Sequence, residues 1–413
     1  MKIPELLAPA GNLEKLVTAV HYGADAVYLG GKSFSLRARA GNFSRQEMAQ
    51  GIEHAHRHGV KVYVTVNIFA HNRDFDGLED YLAGLAELGA DGLIVSDPGI
   101  LAKVKEAATG LPVHLSTQAN VTNSYSANFW HSQGIARINL ARELSLEEIK
   151  AIRQAVDAEL EVFVHGALCI SYSGRCMLSN YLTGRDANQG KCSHPCRFSY
   201  ALMEEKRPGE YFPVEEDERG TYIFNAKDLC LLPVLPLLVH AGIDSLKIEG
   251  RMKSVFYAGG VVRAYRAALD YLKSLPEKDW NQPEKIVMPR RFLSELEKLG
   301  TRGASRNFFF NQPQGADMLY KTSRARQFME PVAIIRKPGV RTLAEIRNTL
   351  FLGEKMTLME PKMKNQDLLI KKMYNQKGEA VKKANPGNMI FFETEPAMEK
   401  PSSCSILIRK NEA

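Results

Sequence analysis

No stretch of this chain approaches the ~20 consecutive apolar residues that a bilayer-spanning helix needs. Its opening residues, Met1-Lys-Ile-Pro-Glu, carry no signal-type apolar run. A membrane span and a secretory leader are therefore not expected, and a cytoplasmic location is. A Gly-x-Ser-x-Gly nucleophile elbow is missing, so nothing announces a serine hydrolase. Antiparallel hairpin signals are missing from the first 250 residues, which excludes a β-sandwich there. Cysteine is sparse, six in 413 residues, far below a disulfide scaffold.

What is present begins with where those cysteines fall. Cys169, Cys176, Cys192 and Cys196 lie within 28 residues, spaced x6, x15 and x3, amid Gly, Ser, Arg, Asn and Lys. That setting is not a core pattern, and in a reducing compartment it reads as a soft-metal or cluster site. Four thiolates suit either zinc or an iron–sulfur cluster. Closed zinc sites use two short Cys pairs, whereas only Cys192-x3-Cys196 is short here, so the spacing favours a cluster. Lys191 and Arg197 would offset its charge. Cys230 sits in an apolar stretch and reads as core packing; Cys404 receives no role.

Hydrophobic residues make up 45% and charged residues 24% of the chain, as in globular proteins. The first 250 residues repeat one rhythm: an amphipathic helical stretch, a glycine, then a short apolar strand. Strands are expected at 5–8, 25–29, 60–67, 92–97, 113–118, 136–141, 160–165 and 245–249. Gly23, Gly59, Gly89, Gly134 and Gly242 stand where helices would close. Ser44 and Ser145 are expected N-caps, the latter with Glu148 at capping-box distance. Eight such alternations predict an α/β fold, a TIM-like (β/α)8 barrel over residues 1–274, with an open doubly wound sheet as the alternative. A cysteine-bearing insertion is expected at about 167–227. Residues 275–330 are expected as a linker or extension, in which Phe308-Phe-Phe310 would pin chain to core. Residues 331–413 show short apolar runs between Pro/Gly turns and predict a small all-β barrel. This last unit carries 15 Lys/Arg against 9 Asp/Glu and holds nearly all of the net charge of +7, which suits a polyanionic partner such as nucleic acid.

Strand C-terminal ends form the active face of such a barrel. They collect Asn67, Asp97, Gln118, Arg142, His165, Lys247, Glu249 and Arg251. Gln118, His165, Lys247 and Glu249 are the candidate catalytic groups. Asn67, Arg142 and Arg251, joined by Arg37 and Arg39 after the second strand, are candidate substrate-binding groups. A thiol hydrolase pairing Cys169 with His165 is the competing chemistry, and a non-catalytic RNA-binding protein with a structural metal is a third.

The run Glu161-x-Phe-x-x-Gly166-x-x-Cys169-x4-Gly174-x-Cys176-x-x-Ser179 resembles the signature of the collagenase-like peptidase family. Leu7-Ala-Pro-Ala-Gly-Asn12, Asn188-Gln-Gly-Lys-Cys-Ser-His-Pro-Cys-Arg197 and Ser245-Leu-Lys-Ile-Glu-Gly-Arg251 are similar to its other blocks, so the likeness spans essentially the whole chain. Arg207-Pro-Gly-Glu210 and the block from Glu218 to Leu229 resemble the tRNA uridine-hydroxylating branch most. That branch implies oxygen-independent formation of 5-hydroxyuridine at the wobble position, a prephenate requirement and an iron–sulfur (4Fe-4S) cluster; sister branches hydroxylate ribosomal RNA cytidine or the ubiquinone ring. By the same resemblance Cys169, Cys176, Cys192 and Cys196 would be the cluster ligands. Cys230 is a reserve for the fourth, because one sister branch lacks the counterpart of Cys196. The implied partners are the tRNA anticodon loop, a small dianionic co-substrate, and a protein for electron or cluster delivery. Arg142, Lys247 and Arg251, with Arg37 and Arg39, supply cations for the dianion.

Overall fold

The computed structural model describes residues 1–35, 42–107, 110–168, 171, 175–197, 201–203, 211–213, 227–301, 303–310, 327–399 and 401–411. Eight parallel strands close on themselves. They are β1 (Glu5–Pro9), β2 (Ala26–Gly30), β3 (Lys61–Val66), β4 (Gly92–Val95), β5 (Val113–Leu115), β6 (Arg137–Asn139), β7 (Glu159–Gly166) and, after the insertion, β11 (Ser245–Ile248). The chain order runs β1 to β7, and β11 pairs with both β1 and β7. The sheet therefore has no break, and the barrel rather than the open sheet is the architecture.

Helices α1 (Leu13–His21), α2 (Arg45–Arg57), α3 (Leu78–Glu87), α4 (Pro98–Glu106), α5 (Ser124–Ser132) and α6 (Leu146–Ala155) follow the first six strands. Their starts obey local chemistry. Ser44 and Ser145 each form a capping box, with Glu47 and Glu148, and the side chains of Asn12, Asp97 and Asn123 cap α1, α4 and α5. All five helix-closing glycines have φ between +71° and +101°.

The main core lies between strands and helices. Leu6, Leu29, Val62, Val64, Leu160 and Leu246 meet Leu16, Ile52, Leu82, Ile149 and Tyr265, all nearly inaccessible. A separate small apolar cluster, Leu7, Ala26, Tyr28, Tyr63 and Ile94, fills part of the barrel interior.

The insertion after β7 carries α7 (Leu178–Thr183) and a strand pair, β8 (Ala201–Met203) with β9 (Tyr211–Pro213). β10 (Asp228–Cys230) then runs antiparallel to the end of β7, ahead of α8 (Leu235–His240). Beyond β11, α9 (Val255–Lys273) closes the ring against α1 and receives α10 (Arg290–Glu297). The short β12 (Ala304–Ser305) joins β10. Trp280, Phe292, Leu296, Leu299 and Phe309 are buried in the main core, so residues 275–310 are an extension packed on the barrel. Of the aromatic triplet, Phe309 is the buried pin, and Phe310 is exposed.

The C-terminal unit is a closed six-stranded antiparallel barrel, ordered β13 (Met329–Lys337), β14 (Thr342–Ile346), β19 (Met389–Glu395), β17 (Asn365–Tyr374), β16 (Lys355–Met359) and β20 (Ile406–Lys410). A small arm, β15 (Leu350–Phe351) with β18 (Lys383–Ala384), stands beside it. It is fastened to the first barrel by buried chemistry. Ile334, Met359, Ile406 and Ile408 join the main core, and the Tyr22 hydroxyl donates to the Met359 carbonyl at 2.8 Å. Arg263, fully buried, donates to the Glu360 carbonyl at 2.9 Å and pairs with Glu295 at 3.2 Å.

Candidate active site at the barrel mouth

Inside the barrel, polar side chains are consumed by one another. Glu161 on β7 is buried and bonded to Lys247 Nζ on β11 at 2.7 Å, with Arg137 on β6 at 3.5 Å. Arg137 also pairs with Glu5 at 2.6 Å and Glu159 at 2.7 Å, and Tyr63 donates its hydroxyl to Glu5 at 2.9 Å. Burial alone would raise the Glu161 carboxyl, but Lys247 and Arg137 outweigh it and hold the group below the usual carboxylate range. Lys247 lies over the Tyr28 ring, 4.7 Å from its centroid. Its ammonium is thus engaged within the interior by a carboxylate 86 residues away in the chain, a pairing that strand-end position alone does not reveal.

Higher in the mouth the partners are mostly neutral oxygens. Arg251 sends its guanidinium to Asn42 Oδ1 at 2.6 Å, Ser35 Oγ at 3.2 Å and Thr65 Oγ1 at 3.3 Å. Gly30 makes room for it, since a Cβ there would lie 2.6 Å from an Arg251 nitrogen. Arg142 donates to the Ala167 carbonyl at 3.1 Å and stacks over Phe163 at 3.9 Å. Asn67 donates to Gln118 Oε1 at 3.3 Å, and Ser116 bonds the same oxygen. Asp97 caps α4 through Ile100 N at 3.0 Å. Glu249, half-buried, accepts the Tyr28 hydroxyl at 3.2 Å. Arg37 and Arg39 lie outside the described residues.

His165 is the site residue whose orientation the sequence misleads about. Strict alternation would point it inward, as Glu161 and Phe163 point. Between Lys247 and Ile248 the β7–β11 register shifts, so Lys247 faces Phe163 while Ile248 faces His165. The extra residue is a bulge, and bulges re-aim side chains. His165 accordingly packs against the rings of Tyr257 and Tyr265 on α9, at 5.9 and 5.6 Å, and its imidazole pKa falls to about 4 because it is desolvated. It lines a side cavity of about 260 Å³ with Asp228, Cys230 and residues of α10. Gly166, the next residue, has φ +113°, and a Cβ there would meet the Glu249 carbonyl at 2.6 Å.

The cysteine segment is anchored onto this mouth. Arg175 donates to the Gln118 carbonyl at 2.9 Å and lies 5.4 Å from the Phe69 ring centroid. Phe69 N–H donates to the Asn188 carbonyl at 3.3 Å. Asn188 in turn brackets Cys176, accepting its N–H and donating to its carbonyl, both at 3.3 Å. Ser179 is the hub of the segment: its hydroxyl donates to the Arg185 carbonyl at 2.6 Å, meets Ser193 Oγ at 2.9 Å and accepts the Ser193 N–H at 2.9 Å. Arg185 donates to the carbonyls of Lys191 and Cys192. His194, with φ +57°, turns its N–H onto Cys192 Sγ at 3.4 Å. Cys176 is buried, and Cys192 and Cys196 are partly exposed. Cys169 lies outside the described residues. Cys230 is buried against Tyr265 at 4.0 Å, with burial pushing its thiol up. Among the described residues no three His, Cys, Asp or Glu side chains gather tightly enough to hold a single metal ion.

Sequence reasoning missed Arg175, Asn188 and Ser179 as the fasteners of this unit. Their signal was present, since all three lie in or beside the two cysteine blocks.

Comparison with known proteins bears out the resemblance. Residues 11–319 match the model of peptidase family U32, and residues 327–407 match that family's C-terminal domain. The tRNA hydroxylation protein P1 of Bacillus subtilis (strain 168) is 39% identical over 396 residues, covering 95% of this chain and 92% of its own. The tRNA hydroxylation protein P of Escherichia coli (strain K12) is 38% identical, covering 92% and 90%. The 23S rRNA 5-hydroxycytidine C2501 synthase of the same organism is 37% identical over 75% of this chain, but this chain covers 46% of that protein. With matches spanning both of its barrels, the chain belongs to peptidase family U32.

Proposed function

We propose that this protein hydroxylates C5 of the wobble uridine in tRNA to 5-hydroxyuridine, without molecular oxygen and with prephenate as co-substrate, using an iron–sulfur cluster. The observation that carries this reading is the docking of the cysteine segment on the mouth through Arg175–Gln118 and Asn188–Phe69, in a chain that aligns along 95% of its length with a tRNA hydroxylation protein. The target base must leave its stack to reach such a mouth, and a loop nucleotide does so at least cost.

Cys169, Cys176, Cys192 and Cys196 would hold the cluster, with Cys230 in reserve. The donor chemistry fits: Cys176 and Cys192 belong to one hydrogen-bonded unit, and the His194 N–H already points at Cys192 sulfur. A single zinc ion would draw its four sulfurs to about 2.3 Å of one point, whereas a cubane carries its thiolates on separate corners. When bound, the cluster would supply one-electron redox chemistry beside the base. The chain's own groups would do the rest. Gln118 and Asn67 can hydrogen-bond the imide edge of uracil, Arg142 and Arg251 can hold the dianion's carboxylates, and Glu249 can take a proton at its carboxylate. The basic C-terminal barrel would grip the tRNA backbone. A thiol-peptidase reading would require His165 as base, and that imidazole is packed between Tyr257 and Tyr265.

Two measurements test the proposal. Anaerobically purified protein is expected to be brown, with broad absorbance near roughly 400 nm from sulfide-to-iron charge transfer; a colourless zinc protein would contradict it. Transfer RNA from a deletion strain is expected to lack 5-hydroxyuridine derivatives by mass spectrometry, and their persistence would overturn the assignment.

A further inference from the structure

Helix α7 presents an unusual face. Its inner side is pinned, with Ser179 fully buried and Thr183 bonded to both Ser179 and Ser193. On its outer side Met177, Tyr181 and Leu182 are 67%, 87% and 45% exposed. Three large apolar side chains on and beside a six-residue helix, held outward by a hydrogen-bonded base, are not a loop that failed to pack. Among the described residues of the segment, cations outnumber acids. Arg175 and Lys191 are exposed and Arg185 half-buried, while the acid among them, Asp186, is turned onto its own loop at Asn188 N.

An exposed tyrosine set among guanidinium and ammonium groups matches single-stranded nucleic acid, whose bases stack on aromatic faces while cations meet the phosphates. We propose that the outer face of α7, Tyr181 with Met177 and Leu182, is a stacking platform for the unpaired nucleotides that flank the target base. This inference rests on the RNA-hydroxylase reading and gives that site a specificity device: a paired strand offers no free base faces and would not seat. The platform adjoins Cys176, so a base stacked there would fix where its neighbour enters the mouth.

The test is fluorescence anisotropy with full-length protein and a labelled anticodon stem-loop RNA bearing a wobble uridine, against a fully paired RNA duplex of equal length. Tyr181→Ala is expected to weaken stem-loop binding by about tenfold or more, with duplex binding unchanged, and Tyr181→Phe to bind as wild type. Thiol-cluster absorbance of each variant reports whether the cysteine segment has kept its fold. Wild-type affinity in a Tyr181→Ala protein would overturn the inference. So would equal losses for stem-loop and duplex, or unchanged RNA affinity with loss only of turnover driven by a protein electron donor, which would make the face a protein-docking surface. A wild-type protein that leaves tRNA unmodified defeats the functional reading itself; a modifying enzyme indifferent to Tyr181 defeats this inference alone.

Discussion

The barrel interior and the cysteine segment above it are both rich in polar groups, and they use them in opposite ways. In the interior, charge meets charge: Glu161 with Lys247, and Arg137 with Glu5 and Glu159. Glu161, Lys247 and Arg137 are almost wholly removed from water, and each depends on its partners to be tolerated there, while Glu159 reaches the surface. In the segment, order comes from neutral hydroxyls, amides and carbonyls around Ser179 and Asn188 rather than from ion pairs. The lesson is that a barrel can hide a charged lattice where it needs rigidity and keep softer bonding where it needs ligand chemistry. The two regions should therefore fail differently.

The largest effect is expected inside. Lys247→Met leaves the buried Glu161 carboxylate with Arg137 at 3.5 Å and the Ser245 hydroxyl at 3.1 Å and should cost about 3–5 kcal/mol in urea unfolding. Adding Glu161→Gln should recover at least half of that loss. An unchanged midpoint in the single variant would show that the lattice is not the interior's support.

Acid should strike the same region next. His114, beside the Tyr63 ring, has its imidazole pKa lowered to about 3, first by burial and then by Arg137. The unfolded chain binds that proton near pH 6.5 and the folded chain does not, so the unfolded state gains protons as pH falls between these values. The stability contribution is complete above about pH 6.5 and is lost progressively down to about pH 3. His114→Phe should reduce the slope of stability against pH in that window by up to one proton. An identical slope in wild type and variant would place the acid sensitivity elsewhere.

Smaller still is Ser179→Ala, which removes the acceptor of the Ser193 N–H and the donor to the Arg185 carbonyl. A local cost of about 1–3 kcal/mol is expected, visible as faster amide exchange over residues 176–193. The barrel's unfolding midpoint should barely move. A matching fall in barrel stability would dissolve the contrast between the two regions.

Much of this architecture could be read from the amino acids alone, because its signals are local. Helix-closing glycines, Ser caps and strand composition mark eight units, and each needs only its own dozen residues. The site was legible as a set of residue types but not as an arrangement. The bulge that turns His165 away depends on a register shift with β11, some 80 residues on, and leaves no trace in composition. The engagement of Lys247 by Glu161 likewise appears only when the sheet closes. The role of Arg175, one residue before Cys176, needed the Gln118 carbonyl to be placed beneath it. Residues 275–310 read only as a linker or extension because their one regular helix, α10, is short, and its buried Phe292 and Leu296 find their core only where the chain folds back onto α9.

The most direct test of the account is complementation of the deletion strain with wild-type and Cys176→Ala protein, followed by mass spectrometry of tRNA. Wild type should restore 5-hydroxyuridine derivatives, whereas Cys176→Ala, present at normal level and with an unaltered unfolding midpoint, should restore none. Full restoration by Cys176→Ala would contradict the claim that the thiols over the mouth hold the redox group the reaction needs.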